Sequence, residues 1–304
     1  YDINAGNYTA DPQKPLNPDD LLRLIDRNGD KSDDRIISRI ALPSNFIAVG
    51  VEPFFERGSD RVYITAVHLD GAGNPDAARL YTVAFDELDP AKTTIIGSLE
   101  LPGTSVRGLR VRNARVLLAM GEEGLGIVDS FLPNKTYLVQ SLAAAPKLPM
   151  LDIATQTGIG TQAGDGTAAG LIVAVGGAFD YRTNRLLTKE AIGSGGLQVY
   201  SQTANAGLKR LGQLDLPGTR VSLQGRYAYV AAGASGVAVV DLLDPSAPTV
   251  VARINDIGYV YDLDFNGNTL YVARGDKGVL MVDVTNPLKP VAGRSMTSSG
   301  SVES

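Results

Sequence analysis

The chain has 304 residues, 44% of them hydrophobic, a net charge of -5, one histidine and no cysteine or tryptophan. That is enough apolar material for one large core. The acidic balance, with no cluster of Lys and Arg, lacks the positive field that a nucleic-acid or anionic-membrane surface requires. No apolar run approaches the roughly 18 residues of a membrane span, and the absence of cysteine excludes disulfides and thiolate metal sites. The 34 Gly and 16 Pro fall mainly between short Val, Ile, Leu and Tyr runs, which predicts an all-β chain of many short strands joined by tight turns.

Taken in order, residues 1–10 read as a polar strand end, and 11–18, with three prolines, as a linker from neighbouring domains of a longer chain. Asn17, Pro18, Asp19 and Asp20 form a helix-start signature: an N-cap, a proline at the first helical position and acids at the positive end of the dipole. A short helix through Leu21, Leu22, Leu24 and Ile25 is therefore expected. It leads into Asp26-Arg-Asn28-Gly-Asp30-Lys-Ser-Asp-Asp34, where oxygen side chains alternate as a loop around a hard cation requires. Asp26, Asn28, Asp30 and Asp34 are the expected ligands and calcium the expected ion. The stretch resembles the loops of EF-hand, dockerin and integrin-type calcium sites, departing from them at Lys31 and Ile37. Residues 1–34 thus read as a linker with a short helix and a calcium loop, and 35–304 as the main domain.

From Arg35 the strands begin. Residues 35–42 resemble the last strand of a repeat unit, matching Gly97-Ser-Leu-Glu-Leu-Pro-Gly-Thr104 and Gly212-Gln-Leu-Asp-Leu-Pro-Gly-Thr219. Modules follow at 43–100, 101–145, 146–215, 216–255 and 256–296. In the last two, Gly225, Tyr229, Gly236, Asp241, Pro245 and Pro248 recur 42 positions later as Gly267, Tyr271, Gly278, Asp283, Pro287 and Pro290. A fixed period of this length marks a repeat architecture. Four short strands per copy make a β-propeller blade, about five in this chain, which could be part of a larger ring.

The runs Gly124-Leu-Gly-Ile-Val-Asp129, Gly236-Val-Ala-Val-Val-Asp241 and Gly278-Val-Leu-Met-Val-Asp283, each followed by a proline turn, resemble the LVIVD repeat of bacterial and archaeal surface and secreted proteins. The resemblance implies a β-propeller within an exported or cell-surface polypeptide and brings no catalytic residues with it. The strand-end aspartates read as turn-capping groups.

Two modules carry long connections between their second and third strands, 68–78 and 177–195, where the regular modules need only a few residues. Functional side chains concentrate on such insertions because the scaffold beneath holds them without using them for packing. His68, Asp70, Phe179, Asp180, Tyr181, Arg182 and Arg185 are the expected binding residues. The expected function is non-catalytic recognition of a protein or glycan, outside the cell or at its surface. One alternative is a propeller hydrolase or lyase using Asp70, Glu122, Asp180 and Asp276; another is a structural spacer in a surface fibre. Gly158-Ile-Gly160-Thr-Gln-Ala-Gly164 is not a nucleotide loop, because its third glycine comes one residue late and no helix follows.

Overall fold

The computed structural model describes residues 3–4, 22–26, 35–43, 46–56, 59–86, 89, 92–112, 114–143, 148–156, 170–180, 183–186, 196–202 and 207–297. Among them there is no α-helix. The chain divides into two compact units: Tyr1–Gly121 with Gly126–Ser141 and Tyr181–Thr183, and Glu122–Leu125 with Leu142–Asp180 and Asn184–Ser304.

The first unit holds three sheets. β1 (Ile3–Asn4), β2 (Leu22–Asp26) and β3 (Arg35–Ile40) form a three-stranded sheet. β4 (Phe46–Glu56), β5 (Ser59–Leu69), β6 (Pro75–Ala84) and β7 (Thr94–Glu100) form a four-stranded one, as do β8 (Leu109–Arg112), β9 (Arg115–Ala119), β10 (Leu125–Asp129) and β11 (Tyr137–Leu142). In the second unit, β12 (Met150–Thr155), β13 (Leu171–Gly176), β16 (Leu197–Gln202) and β17 (Leu208–Leu214) form one sheet, and a small hairpin, β14 (Phe179–Asp180) with β15 (Arg185–Leu186), is inserted between its middle strands. Two more sheets follow: β18 (Arg220–Gln224), β19 (Tyr227–Ala231), β20 (Val237–Asp241) and β21 (Thr249–Ile254), then β22 (Asp262–Asn266), β23 (Thr269–Ala273), β24 (Val279–Asp283) and β25 (Val291–Met296). The five four-stranded antiparallel sheets are the five expected blades, with Tyr63, Tyr229 and Tyr271 on second strands.

The first four blades bury both faces of their middle strands, which are therefore apolar almost throughout, whereas in the last blade Tyr271, Val279 and Met281 are only half-buried. In the first unit Val62, Ile64 and Ala66 pack with Ile40, while Tyr63, Val67 and Leu80 pack with Val106, Leu109, Val116 and Leu118 of the following sheet. In the second unit Val230 and Val240 pack with Val173, Val175 and Val199, while Tyr229, Val237 and Val239 pack with Val260, Leu263, Leu270 and Leu280. Each large side chain buried in this way contributes about 1.5–3 kcal/mol. The first-to-second-strand hairpins close through Gly225 (φ 56°) and Gly267 (φ 58°), a left-handed conformation that glycine adopts without a Cβ penalty.

Adjacent blades also lock through backbone contacts. Thr219 Oγ1 donates to Ala231 O at 3.4 Å or Tyr261 O at 3.3 Å, and Thr65 stands in the same relation to Gly50 O and Arg107 O. Gly97 and Gly212 explain the likeness of their two segments. A Cβ on Gly97 would lie 2.7 Å from Pro133 O, and one on Gly212 would lie 2.3 Å from Pro245 O, because the proline turn of the next blade presses directly on the outer strand.

The expected helix is corrected. Leu22–Asp26 is a strand that pairs with β1 and β3, and the sheet therefore crosses the boundary expected at residue 34. The register gives the reason. Leu22 faces Ile40, Leu24 faces Ser38, and one residue of β3 is skipped before Ile25 meets Ile36. Val237, Val239 and Val240 meet Ile254, Ala252 and Val250 across the same bulge. Leu22-Arg-Leu-Ile-Asp26 thus occupies the third-strand position of a blade, and pairing on both sides outweighs the local helix-start signal of the preceding residues.

Candidate functional site

The long connection of the β12–β17 blade is folded back on its own unit. Gly177 follows β13, and Leu186 Cδ2 and Pro217 Cβ come within 3.0 and 3.2 Å of where its Cβ would stand, so a larger residue would crowd the hairpin where it leaves the blade. Phe179 pairs with Leu186 and Asp180 with Arg185, with Asn184 in the left-handed region at φ 54°. Tyr181 and Arg182 lie outside the described residues.

Arg185 and Leu186 fasten this hairpin to the connection between β21 and β22. Arg185 Nε and Nη2 donate to Tyr261 Oη at 3.1 and 2.9 Å, and the guanidinium lies 5.0 Å from the centre of the Tyr259 ring and 5.8 Å from that of Tyr261. The Leu186 N–H donates to Tyr259 Oη at 2.6 Å. The two tyrosine rings are 4.6 Å apart and inclined at 53°. Beneath them Tyr259 closes over Gly233, whose carbonyl accepts the Val260 N–H at 3.0 Å. On the other side Arg274 donates to Ile257 O at 3.1 Å, and Lys277 packs against Gly258. Cation–π contact and charge-assisted bonding together hold two tyrosines and a guanidinium in one fixed arrangement.

Tyr259 and Tyr261 were not among the expected residues, although the sequence carried a signal for them. They stand 42 positions after Pro217 and Thr219, where they break the repeated Leu-Pro-Gly-Thr segment with two aromatics. Arg185 was expected as an exposed binding group, and the structure places its guanidinium on these two rings.

In the first unit the 68–78 connection is mostly strand. β5 and β6 run on to Leu69 and from Pro75, giving a hairpin twice the length of those in the regular blades. Asp70 closes its tip, accepting the Ala72 and Asn74 N–H groups, each at 2.8 Å. These bonds, that from Asn74 foremost, hold its carboxyl below the usual aspartate range. His68 Nδ1 bonds Asp76 Oδ1, and its ring lies 5.7 Å from that of Phe46, which also carries the Arg79 guanidinium at 4.7 Å. His68 and Asp70 therefore shape the hairpin tip.

The strand-end aspartates have the structural role expected of them. Asp129, Asp241 and Asp283 accept the N–H groups of Phe131, Leu243 and Thr285 at 3.0, 2.9 and 2.8 Å, and Asp241 also pairs with Arg226 at 2.9 Å. Of the expected calcium ligands, Asp26 ends β2 and the other three lie outside the described residues. Among the described residues no group of three or more acidic or histidine side chains could hold a metal.

A search of the curated proteins found no match. Among solved structures the chain resembles that of Raptor from Chaetomium thermophilum, with a TM-score of 0.56 and 12% identity over 89% of this chain. The chain spans 22% of that protein's length, and at this identity the likeness shows the fold alone. The family model of the LVIVD repeat matches residues 218–256 and 257–297. Matched in sequence and built as two successive four-stranded blades, the last two modules of this β-propeller are LVIVD repeats.

Proposed function

We propose that this repeat β-propeller is a non-catalytic binding module of an exported or cell-surface protein. It recognises a protein or glycan through the surface formed by the 179–186 hairpin and the 255–261 connection. The observation that carries this reading is the tyrosine pair clasped by Arg185, built from the two segments of the second unit that depart from the repeat. Tyrosine and arginine supply much of the energy at recognition surfaces, and side chains already held in place lose little entropy on binding. The buried Tyr261 anchors Arg185, which in turn holds Tyr259, and Tyr181 and Arg182 belong to the same segment of sequence. The likeness to LVIVD repeats supports the extracellular setting and a place among neighbouring domains. Calcium at Asp26, Asn28, Asp30 and Asp34 would brace the connection from β2 to β3 of the first sheet; the alternating oxygens, beginning at a strand end, support it.

The test is binding of the labelled full chain to a glycan array and to intact cells. Tyr259→Ala and Arg185→Ala should each weaken the signal at least about tenfold, as hot-spot losses do. Full-strength binding by both variants would remove this surface from consideration.

A further inference from the structure

The proline turns between third and fourth strands are built alike, and one of them lacks the group that ties its side chains down. In the β20–β21 turn Asp244 Oδ1 accepts the Ser246 N–H at 2.9 Å and its hydroxyl at 2.6 Å, and in the β24–β25 turn Asn286 accepts the Leu288 N–H at 3.1 Å. Leu132 and Asn134 of the β10–β11 turn stand 112 positions before Asp244 and Ser246. Leucine offers no acceptor, so this bend closes through the backbone alone, with the Lys135 N–H donating to Leu132 O at 2.9 Å. Asn134 is exposed, and its carboxamide has no hydrogen-bond partner among the described residues; the Thr136 hydroxyl has none there either. The backbone beneath is seated. Asn134 Cα would lie 3.4 Å from a Cβ on Gly97 of β7, so the turn keeps its place while the side chain stands in solvent.

Asn134-Lys-Thr136 is the Asn-x-Thr triplet that N-linked glycosylation uses, and an exposed turn is where a transferase can reach it. We propose that Asn134 is a glycosylation site of this protein, carrying an oligosaccharide on Nδ2. The inference rests on the exported setting proposed above, because a glycan of this kind belongs to a surface turn of a secreted chain. The donor is an oligosaccharide on a polyprenyl diphosphate. Asn134 Nδ2 attacks C1 of the first sugar, and the bond from C1 to the diphosphate oxygen breaks. The polyprenyl diphosphate leaves with the electron pair, and an amide proton passes to a base of the transferase. The Thr136 hydroxyl, two residues on, is the group by which the transferase selects this asparagine. Asn266, Asn268 and Asn286 also stand exposed in turns, but none has a hydroxyl two residues on. The chain's other such triplet, Asn7-Tyr-Thr9, lies outside the described residues. Asn134 belongs to the first unit and the arginine-clasped tyrosines to the second, so the glycan is a feature separate from the recognition surface.

Mass spectrometry of the chain recovered from the exported fraction of the cells that make it should give more than 32.0 kDa, with added mass on the tryptic peptide 116–135. Thr136→Ala should remove the mass on that peptide, Thr136→Ser should keep it, and Asn266→Gln should leave it unchanged. A second measurement does not depend on export. The purified, folded chain, incubated with a polyprenyl-diphosphate oligosaccharide and an oligosaccharyltransferase that modifies the free peptide 131–139, should be modified at Asn134 to a comparable extent. An exported chain that is bare at Asn134 overturns the inference and leaves the binding reading standing, whereas a chain found only in the cytoplasm overturns both. A folded chain left unmodified under conditions in which the peptide reacts, or added mass on 116–135 that survives Thr136→Ala, would equally overturn it.

Discussion

Gly212→Ala is the sharpest probe of how one blade seats on the next. The added Cβ would lie 2.3 Å from Pro245 O, 2.7 Å from Ser246 O and 2.8 Å from Ser246 C, where ordinary contact begins near 3.4 Å. All three atoms are backbone. The turn they belong to is braced internally, with Asp244 Oδ1 accepting the Ser246 N–H at 2.9 Å and its hydroxyl at 2.6 Å, and Ala247 N–H bonded to Asp244 O at 3.1 Å. It must therefore retreat as a rigid piece by about 1 Å, loosening the contact between the blades, and overpacking of this kind costs about 1–3 kcal/mol. Without the close approach the sign reverses, since alanine in place of glycine at a compatible position stabilises by about 0.4–1 kcal/mol through the unfolded chain. Equilibrium urea denaturation separates the two outcomes. Gly225→Ala is the control: nothing lies within 4 Å of its Cβ, and the cost there, about 1–2 kcal/mol, comes from φ 56° alone. A Gly212→Ala protein as stable as the parent, or more so, would refute the seating argument.

Tyr261→Phe removes the acceptor of two Arg185 bonds, so amide exchange at residues 183–186 should quicken about tenfold, in keeping with roughly 1 kcal/mol of lost local stability, while exchange in β19 stays unchanged. Tyr229 is fully buried and its hydroxyl has no hydrogen-bond partner among the described residues, so Tyr229→Phe should leave urea stability equal or raised; a loss above about 1 kcal/mol would mean that the hydroxyl is bonded. Bonds from Ser246 hold the Asp244 carboxyl below its usual range, as those from Thr285 do at Asp283, so each contributes stability that is full above about pH 4 and lost as pH falls through the folded value. Asp244→Asn, which keeps an acceptor but does not titrate, should make the fall in urea midpoint below pH 4 shallower, and identical profiles would dismiss the linkage. Calorimetric titration with calcium should give binding heat for the parent and much less for Asp30→Ala, whereas no heat from either would dispose of the ion site.

Blade number, strand order and the place of the second-strand tyrosines were legible in the sequence because a blade is a local object. Its strands are consecutive, its turns are written in Gly and Asp/Asn-Pro, and a 42-residue period between Gly225 and Gly267 leaves little freedom of register. The strand-end aspartates were legible for the same reason, since each bonds an N–H only two residues on. What tertiary structure decided lies between segments far apart in the chain. Leu22–Asp26 became a strand because β1 and β3 pair with it, against a local signal for helix. Gly97 and Gly212 are glycine because a turn more than thirty residues later presses on them. Arg185 reads in the sequence as a free cation on a long loop, and it became the fastening of Tyr259 and Tyr261 because the fold brings together groups 76 positions apart. No periodicity encodes that encounter, which depends on how two blades and an insertion pack.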